Sequence, residues 1–300
     1  MSLDHSVTAI GVDLGGTNLR VGLVSGDGQV LDLTVIPTPK TGKQIVCAIV
    51  DRSTELAKHS AINGIGVGVP GRLTRTGTVV SAGFVDLSGF DLRREIEDRV
   101  RLPLVLHSDA QMALIAEAEL GAATGCLDAL LITVGTGIGG AAVSGGSLLS
   151  GAANAGQFGH IMVEPHGQKC LCGRRGCLET TSSGSALRRL LVAEGMEPDY
   201  RVEDLLLERD VSEKANRVLT KWTDPLVRGI ESLTAAFDPE IVVLGGGLGS
   251  AAYRAMRGYS SESSWFTPRI EMACLGDSAG VVGAGLLGCR VTLTHREVSS

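Results

Sequence analysis

The chain has 300 residues, enough for one large or two moderate domains, each burying a substantial core. Its 27 basic and 33 acidic side chains sum to −6, and no lysine or arginine run stands out, which argues against a nucleic-acid surface or an anionic-membrane patch. No apolar stretch approaches the ~20 residues of a spanning helix, and the first residues lack a basic segment followed by an apolar one. The expectation is a cytoplasmic protein with neither nucleic acid nor membrane as partner.

Thr8 to Ile36 reads as three strands. TAIGVDLG closes on glycines, LRVGLVS and QVLDLTVI alternate, and SGDGQ is a turn signal. Lys43 to His59 carries Ile45, Ile49 and Leu56 at helical spacing. Gly64 to Val69 is a buried strand ending at Pro70-Gly71. Leu92 to Val100 is a charged helix, Leu104 to Leu106 a short strand, and Ala110 to Ala122 a helix of strong formers. LLITVGTGIGGAAVSGGSLL then repeats the strand–turn–strand–turn–strand device of AIGVDLGGTNLRVGLVSGDGQVL about 120 residues later, suggesting two related halves. Gln157 to Glu179 is a glycine, cysteine and histidine loop. From Ser183 to Phe237 the chain is mainly helical. Glu240 to Leu244 is a strand feeding GGGLG and a helix, and Ala279 to Gly288 is a small-residue helix suited to close packing. The repeat places a domain boundary near Ser108. The expected domains are 1–108, rejoined by the helix at 279–289, and 109–300, carrying the loop at 157–179.

Glycine makes up 41 residues, about twice the ordinary ~7 %, while aromatics are only 3 %. Disorder does not account for this, since 44 % of residues are hydrophobic and nine are proline. The glycines gather instead in GVDLGGT, GIGVGVPG, VGTGIGG, VVLGGGLG and VVGAGLLG, mostly after apolar strands, where backbone can approach a phosphate closely. In the first turn Gly15 and Gly16 offer backbone N–H groups, Thr17 a hydroxyl, and Asp13 an anion placed to hold Mg²⁺ through water. Thr133 to Gly140 offers a second such turn, with Thr136 beside Gly137. Ordinary glycine hairpins are the plainer alternative. Gly135 to Gly140 also matches G-x-G-x-x-G, but that dinucleotide fingerprint opens a helix, and here AAVSGG reads as a strand and turn.

Cys170, Cys172 and Cys177 lie within eight residues, while Cys47, Cys126, Cys274 and Cys289 are scattered. Three thiolates with His160 suit a tetrahedral structural Zn²⁺ in a compact knuckle, with His166 as a competing ligand. Asp109, in His107-Ser108-Asp109-Ala110-Gln111, lies between a strand and a helix. It reads either as a helix cap or as a general base.

Together these residues resemble the ROK family, named for repressors, open reading frames and sugar kinases. The resemblance runs from about Ile10 to Gly288, with DLGGT, GVPG, S-D-A, TVGTGIGG, the G-H element, CxCGxxGCxE and LGGG in order. It implies the actin-like, ribonuclease H-like ATPase fold, two α/β domains flanking a cleft, and a sugar kinase using ATP, Mg²⁺ and a structural Zn²⁺. By resemblance Asp109 is the catalytic base. Asp13, Gly15, Gly16, Thr17, Thr136 and Gly137 bind phosphates, and Gly245, Gly246 and Gly247 lie on the adenosine side. Gly71, Ser108, Asp109, Gln157, His160 and Glu179 bind sugar, and His160, Cys170, Cys172 and Cys177 hold zinc. A homo-dimer or higher homo-oligomer is expected, with sugar and ATP as small-molecule partners.

Three departures fall on the sugar side. The family's Glu-Asn-Asp-Ala-Asn is here His107-Ser108-Asp109-Ala110-Gln111. Its Gly-Glu-x-Gly-His is Gly156-Gln157-Phe158-Gly159-His160, and a Pro-Asn is Ala82-Gly83. The expected acceptor is therefore a hexose or N-acetylhexosamine, with glucose less favoured than by family default. The alternatives are a sugar-sensing regulator and a catalytically idle relative. The family's repressors carry a winged helix-turn-helix before the kinase-like body, and the twelve residues ahead of Asp13 leave no room for one.

Overall fold

The structure, a computed structural model, describes residues 7–81, 87, 89–256, 265 and 267–291. It divides into two units: 1–120 with 150–155 and 277–300, and 121–149 with 156–276.

The first unit is built on Thr8–Leu14 (β1), Asn18–Ser25 (β2), Val30–Pro37 (β3), Ile62–Val69 (β4) and Leu104–Ser108 (β7). The sheet order is β3-β2-β1-β4-β7, with β1 to β3 an antiparallel meander and β4 and β7 parallel additions. A small hairpin, Arg72–Leu73 (β5) with Val79–Ser81 (β6), follows β4. The helices are Gly42–Ala57 (α1), Leu92–Val100 (α2), Asp109–Leu120 (α3) and, last in the chain, Ala279–Arg290 (α9).

Strand alternation sorts the two faces of this sheet. Ile10, Val12, Leu14, Ile65 and Val67 point to one side and are fully buried with Ile45 and Ile49 of α1. On the other side the strands present Gly11, Gly22, Gly64, Gly66 and Gly68; α9 lies directly on the first four and α3 on Gly68. A Cβ added at Gly66 would sit 1.9 Å from the Ala284 carbonyl oxygen. One at Gly283 would sit 1.8 Å from the Met112 oxygen of α3. Part of the glycine excess thus serves backbone-on-backbone packing. GIGVGVPG belongs to this group, whereas the sequence reading counted it among the phosphate turns.

The second unit repeats the plan. Its strands are Ala129–Val134 (β8), Ile138–Ser144 (β9), Ser147–Leu148 (β10), Ile241–Gly245 (β11) and Arg269–Met272 (β12), in the order β10-β9-β8-β11-β12. Again a three-strand meander is extended by parallel strands. The helices are Glu179–Ser182 (α4), Gly184–Ala193 (α5), Val202–Glu208 (α6), Glu213–Phe237 (α7) and Gly249–Ala255 (α8). Trp222 and Ile230 of α7 are buried with Ile132 and Val242, and the indole N–H of Trp222 donates to the Ser183 carbonyl at 3.1 Å. The helical stretch expected from Ser183 to Phe237 breaks after α5, at Gly195 with φ +69° and at Pro198, which separate α5 from α6.

The division between units falls after Leu120, where the sequence repeat placed it at 108. The reason is α3: its backbone touches Gly283 of α9, so it packs with the first unit. A second crossing, 150–155, also joins that unit. There Asn154 donates to the Leu73 carbonyl at 2.9 Å and accepts from the Leu73 amide at 3.1 Å, as a neighbouring strand would.

Candidate active site

In the first unit the β1–β2 hairpin turns through Gly15, Gly16 and Thr17. The Gly15 amide donates to the Asn18 carbonyl at 2.9 Å, and the Thr38 amide and hydroxyl hold Thr17 and Gly15 from outside. Gly16 and Thr17 are exposed, so their polar groups face solvent. Asp13, the last residue but one of β1, stands directly opposite Arg20 of β2, with the guanidinium 3.4 Å from Asp13 Oδ2. Burial pushes the Asp13 carboxyl above its usual range, and Arg20 works against that push. A mostly buried carboxylate suits Mg²⁺, a hard cation that takes one or two carboxylates and leaves the rest to water and phosphate.

Asp109 is the first residue of α3, at the end of β7, and is half-buried. It is not the helix cap. Ser108 Oγ accepts from the Gln111 amide at 3.2 Å, and Gln111 Oε1 accepts from the Ser108 amide at 3.0 Å, a reciprocal capping box one residue earlier. Asp109 Oδ1 accepts from the Ala110 amide at 2.7 Å. Burial, reinforced by the charge of Asp13, raises the Asp109 carboxyl to about 6. Burial also pushes the neighbouring His107 imidazole below its ordinary range. Gly71 follows β4 with φ +89°. Ala82 and Gly83 lie outside the described residues.

In the second unit the β8–β9 turn is fastened from behind. The Gly184 amide donates to the Gly135 carbonyl at 2.7 Å, and the Ser185 hydroxyl to the Thr136 carbonyl at 2.8 Å. The Ile138 amide donates to Glu179 Oε2 at 3.0 Å, and a Cβ on Gly137 would meet that oxygen at 2.5 Å. Glu179, expected on the sugar side, is thus tied to the β8–β9 hairpin. Gly245 to Gly247 leave β11 for α8. Gly246 has φ +79°, and a Cβ there would lie 2.6 Å from the Val134 oxygen, so only glycine fits this turn.

Gln157 precedes a short 3-10 turn, Phe158–His160, and accepts from the His160 amide at 3.0 Å. His160, Cys170, Cys172 and Cys177 converge, each with a ligand atom within 4.8 Å of the others. Cys170 Sγ lies 3.6 Å from His160 Nδ1, and the sulfurs of Cys172 and Cys177 are 3.5 Å apart. A zinc tetrahedron with ~2.3 Å bonds to sulfur has edges of roughly 3.8 Å, so the four side chains fit the ion. His166 is not in this group. The Arg174 amide and guanidinium draw the Cys172 thiol down to about 7, and burial pushes Cys177 up to about 12.

The family model for the ROK family matches residues 9–290. The chain belongs to the ROK family. This ROK protein is 33 % identical to a glucokinase of Halalkalibacterium halodurans, over 93 % of this chain and 94 % of that one. It is also 33 % identical to an N-acetylmannosamine kinase of Shigella boydii, over 94 % and 98 %. The ROK glucokinase of Streptomyces griseus, solved with glucose and AMPPNP, matches at 30 % identity and a TM-score of 0.78, covering 95 % of this chain and all of that one. The fold is the family's actin-like ATPase fold. Among the described residues no helix is long and apolar enough to cross a membrane.

Sequence reasoning missed Arg20, Asp277, the Ser108–Gln111 box and the Glu179 anchor. For Arg20 a signal was present: the hairpin register around Gly15–Thr17 fixes which β2 residue stands opposite Asp13. The box was equally visible as Ser-x-x-Gln. Nothing in the sequence joined Asp277 to β2, 257 positions away.

Proposed function

We propose that this ROK protein is an ATP-dependent sugar kinase, moving the γ-phosphoryl group of ATP to a hydroxyl of a hexose or N-acetylhexosamine. Asp109 carries the reading. A carboxyl held near 6 is ionised at neutral pH yet basic enough to take a proton as the sugar oxygen attacks. The attacking oxygen bonds to the γ-phosphorus, the bond to the β–γ bridging oxygen breaks, and the proton ends on Asp109. Gly16, Thr17, Thr136 and Gly137 present backbone and hydroxyl donors to the phosphates, Gly15 closes the turn through its bond to Asn18 so that phosphate can approach, and Gly245 to Gly247 receive the adenosine side. Asp13 would hold Mg²⁺ through water, and the ion would neutralise charge on the phosphate oxygens. Positioning and charge neutralisation are the main demands of phosphoryl transfer.

Sugar binding is assigned to Gly71, Ser108, Gln157 and His160, and to Glu179, whose Oε2 also accepts from the Ile138 amide. His160, Cys170, Cys172 and Cys177 hold a structural zinc that orients His160 and does no chemistry itself. A coupled ADP-release screen over hexoses and N-acetylhexosamines tests the activity. ADP release should track one sugar or a small set, and no release above the sugar-free background with any of them overturns the reading.

The choice of sugar rests on Gln157. Glutamine adds two N–H donors where a glutamate only accepts, and it forgoes a charge-assisted bond about twice as strong as a neutral one. We therefore infer an acceptor that offers a carbonyl, such as an N-acetyl group. Gln157→Glu should shift kcat/KM toward plain hexoses by about tenfold, the effect of ~1.4 kcal/mol. Coincident specificity profiles for the two proteins would remove Gln157 from the selection.

A further inference from the structure

We propose that Arg20 is a positioning residue for phosphoryl transfer: anchored by Asp277, it fixes the Asp13 carboxylate in the orientation that receives the magnesium ion's water shell. The inference rests on the kinase reading given above, and on Asp13 holding the metal within it.

Asp13 and Arg20 are cross-strand partners on one face of the β1–β2 hairpin, the face that meets α9. The guanidinium spans two carboxylates. One nitrogen lies 3.4 Å from Asp13 Oδ2, the other 3.1 Å from Asp277 Oδ2, in the turn before α9. The three side chains differ sharply in exposure: Asp13 is 14 % exposed, Arg20 18 % and Asp277 90 %. A hydrated carboxylate such as Asp277 adds little stability, but it restricts where the fork can point. On its remaining side Asp13 touches Gly280 of α9, where an added Cβ would stand 2.7 Å from Asp13 Cγ. The carboxylate is thus boxed between a cation and a helix's first turn.

This arrangement suits a metal ligand. Arg20 engages Oδ2 at a long distance, 3.4 Å. Mg²⁺ dehydrates reluctantly and demands near-ideal octahedral geometry, so a single carboxylate that meets its water shell must be held at a set angle. A lysine would supply the charge, but its single ammonium lacks the planar fork that reaches two carboxylates at once.

Binding of Mn²⁺ with AMPPNP, followed by electron paramagnetic resonance, tests the proposal directly. Arg20→Met should weaken Mn²⁺ binding about tenfold, the ordinary loss when a group that orients a metal ligand is removed. Arg20→Lys should remain impaired, and Asp277→Asn should show a smaller loss in the same direction. KM for MgATP should rise in Arg20→Met while KM for the sugar stays unchanged. Because Arg20→Met leaves Asp13 uncompensated, the double variant with Asp13→Asn is the folding control. Its Mn²⁺ binding should match that of Asp13→Asn alone, closing a mutant cycle. If Asp13→Asn itself leaves Mn²⁺ binding intact, the metal role of Asp13 in the kinase reading fails. If Asp13→Asn weakens binding and Arg20→Met does not, the positioning role is overturned. It is overturned equally if Arg20→Met weakens nucleotide binding in excess EDTA, because Arg20 would then be a direct phosphate ligand.

Discussion

Asp109→Asn should lower turnover by about 10²–10⁴-fold, the usual contribution of a general base, while nucleotide binding survives. It should also make the protein more stable at neutral pH. The two effects share one cause. Burial raises the Asp109 carboxyl from 3.8 to about 6, so the fold disfavours its ionised form. The unfolded chain ionises near 3.8, and at pH 7 the native state carries a charge it would rather protonate. That penalty is fully present above about pH 6 and fades as pH falls toward 4, where both states hold the proton. A shift of this size corresponds to about 3 kcal/mol at most, reduced by solvent at a half-buried site. Asparagine keeps the oxygen that accepts from the Ala110 amide and removes the charge, so the variant loses the penalty without losing that bond. Thermal unfolding across pH 4 to 8 should show the wild type gaining on the variant as the solution acidifies. The wild-type rate should fall on the acid side with a midpoint near 6. A variant of near wild-type rate, or parallel stability curves, would return Asp109 to a structural role.

The two glycine hairpins were legible because their information is local. An apolar strand, two glycines and a threonine specify a turn, and the repeat 120 residues later specified its twin. The convergence of His160, Cys170, Cys172 and Cys177 was legible for a similar reason, since three thiols and an imidazole lie within eighteen residues. The boundary at 108 was drawn from the same repeat and missed, because what decides it is the contact between α3 and α9, more than 160 residues apart in sequence. Glycine was the ambiguous letter. Gly15 and Gly66 look alike in a sequence, yet one opens a turn to solvent and the other lets a helix rest on a sheet. Of the two readings of Asp109, the cap lies one position off: Ser108 and Gln111 satisfy the helix start between them.

Zinc removal should have the second large effect, and it should fall on sugar binding and stability together. The loop at 157–179 buries few apolar side chains: Phe158, Cys170, Cys177 and Leu178 are its buried hydrophobic residues. Its backbone is folded tightly, with the Cys170 amide donating to Arg174 at 2.7 Å and Gly176 so close to Glu164 that a Cβ there would overlap the carbonyl. A loop held this closely with so little apolar burial needs another source of order, and a four-ligand zinc supplies binding energy that becomes folding energy. Purified protein should contain about one zinc per chain, as a single tetrahedral site requires. Cys172→Ser removes the exposed ligand without touching the core. It should cost a few kcal/mol, read as a drop in Tm of about 5–10 °C for a unit of this size. Sugar affinity should fall on the order of tenfold, because His160 loses the partner that orients it. Affinity for AMPPNP should hold, apart from what passes through Glu179, whose Oε2 accepts from the Ile138 amide on the far side of the loop. Metal-free protein of full stability, or a Cys172→Ser variant that binds sugar as the wild type does, would strip the ion of both roles.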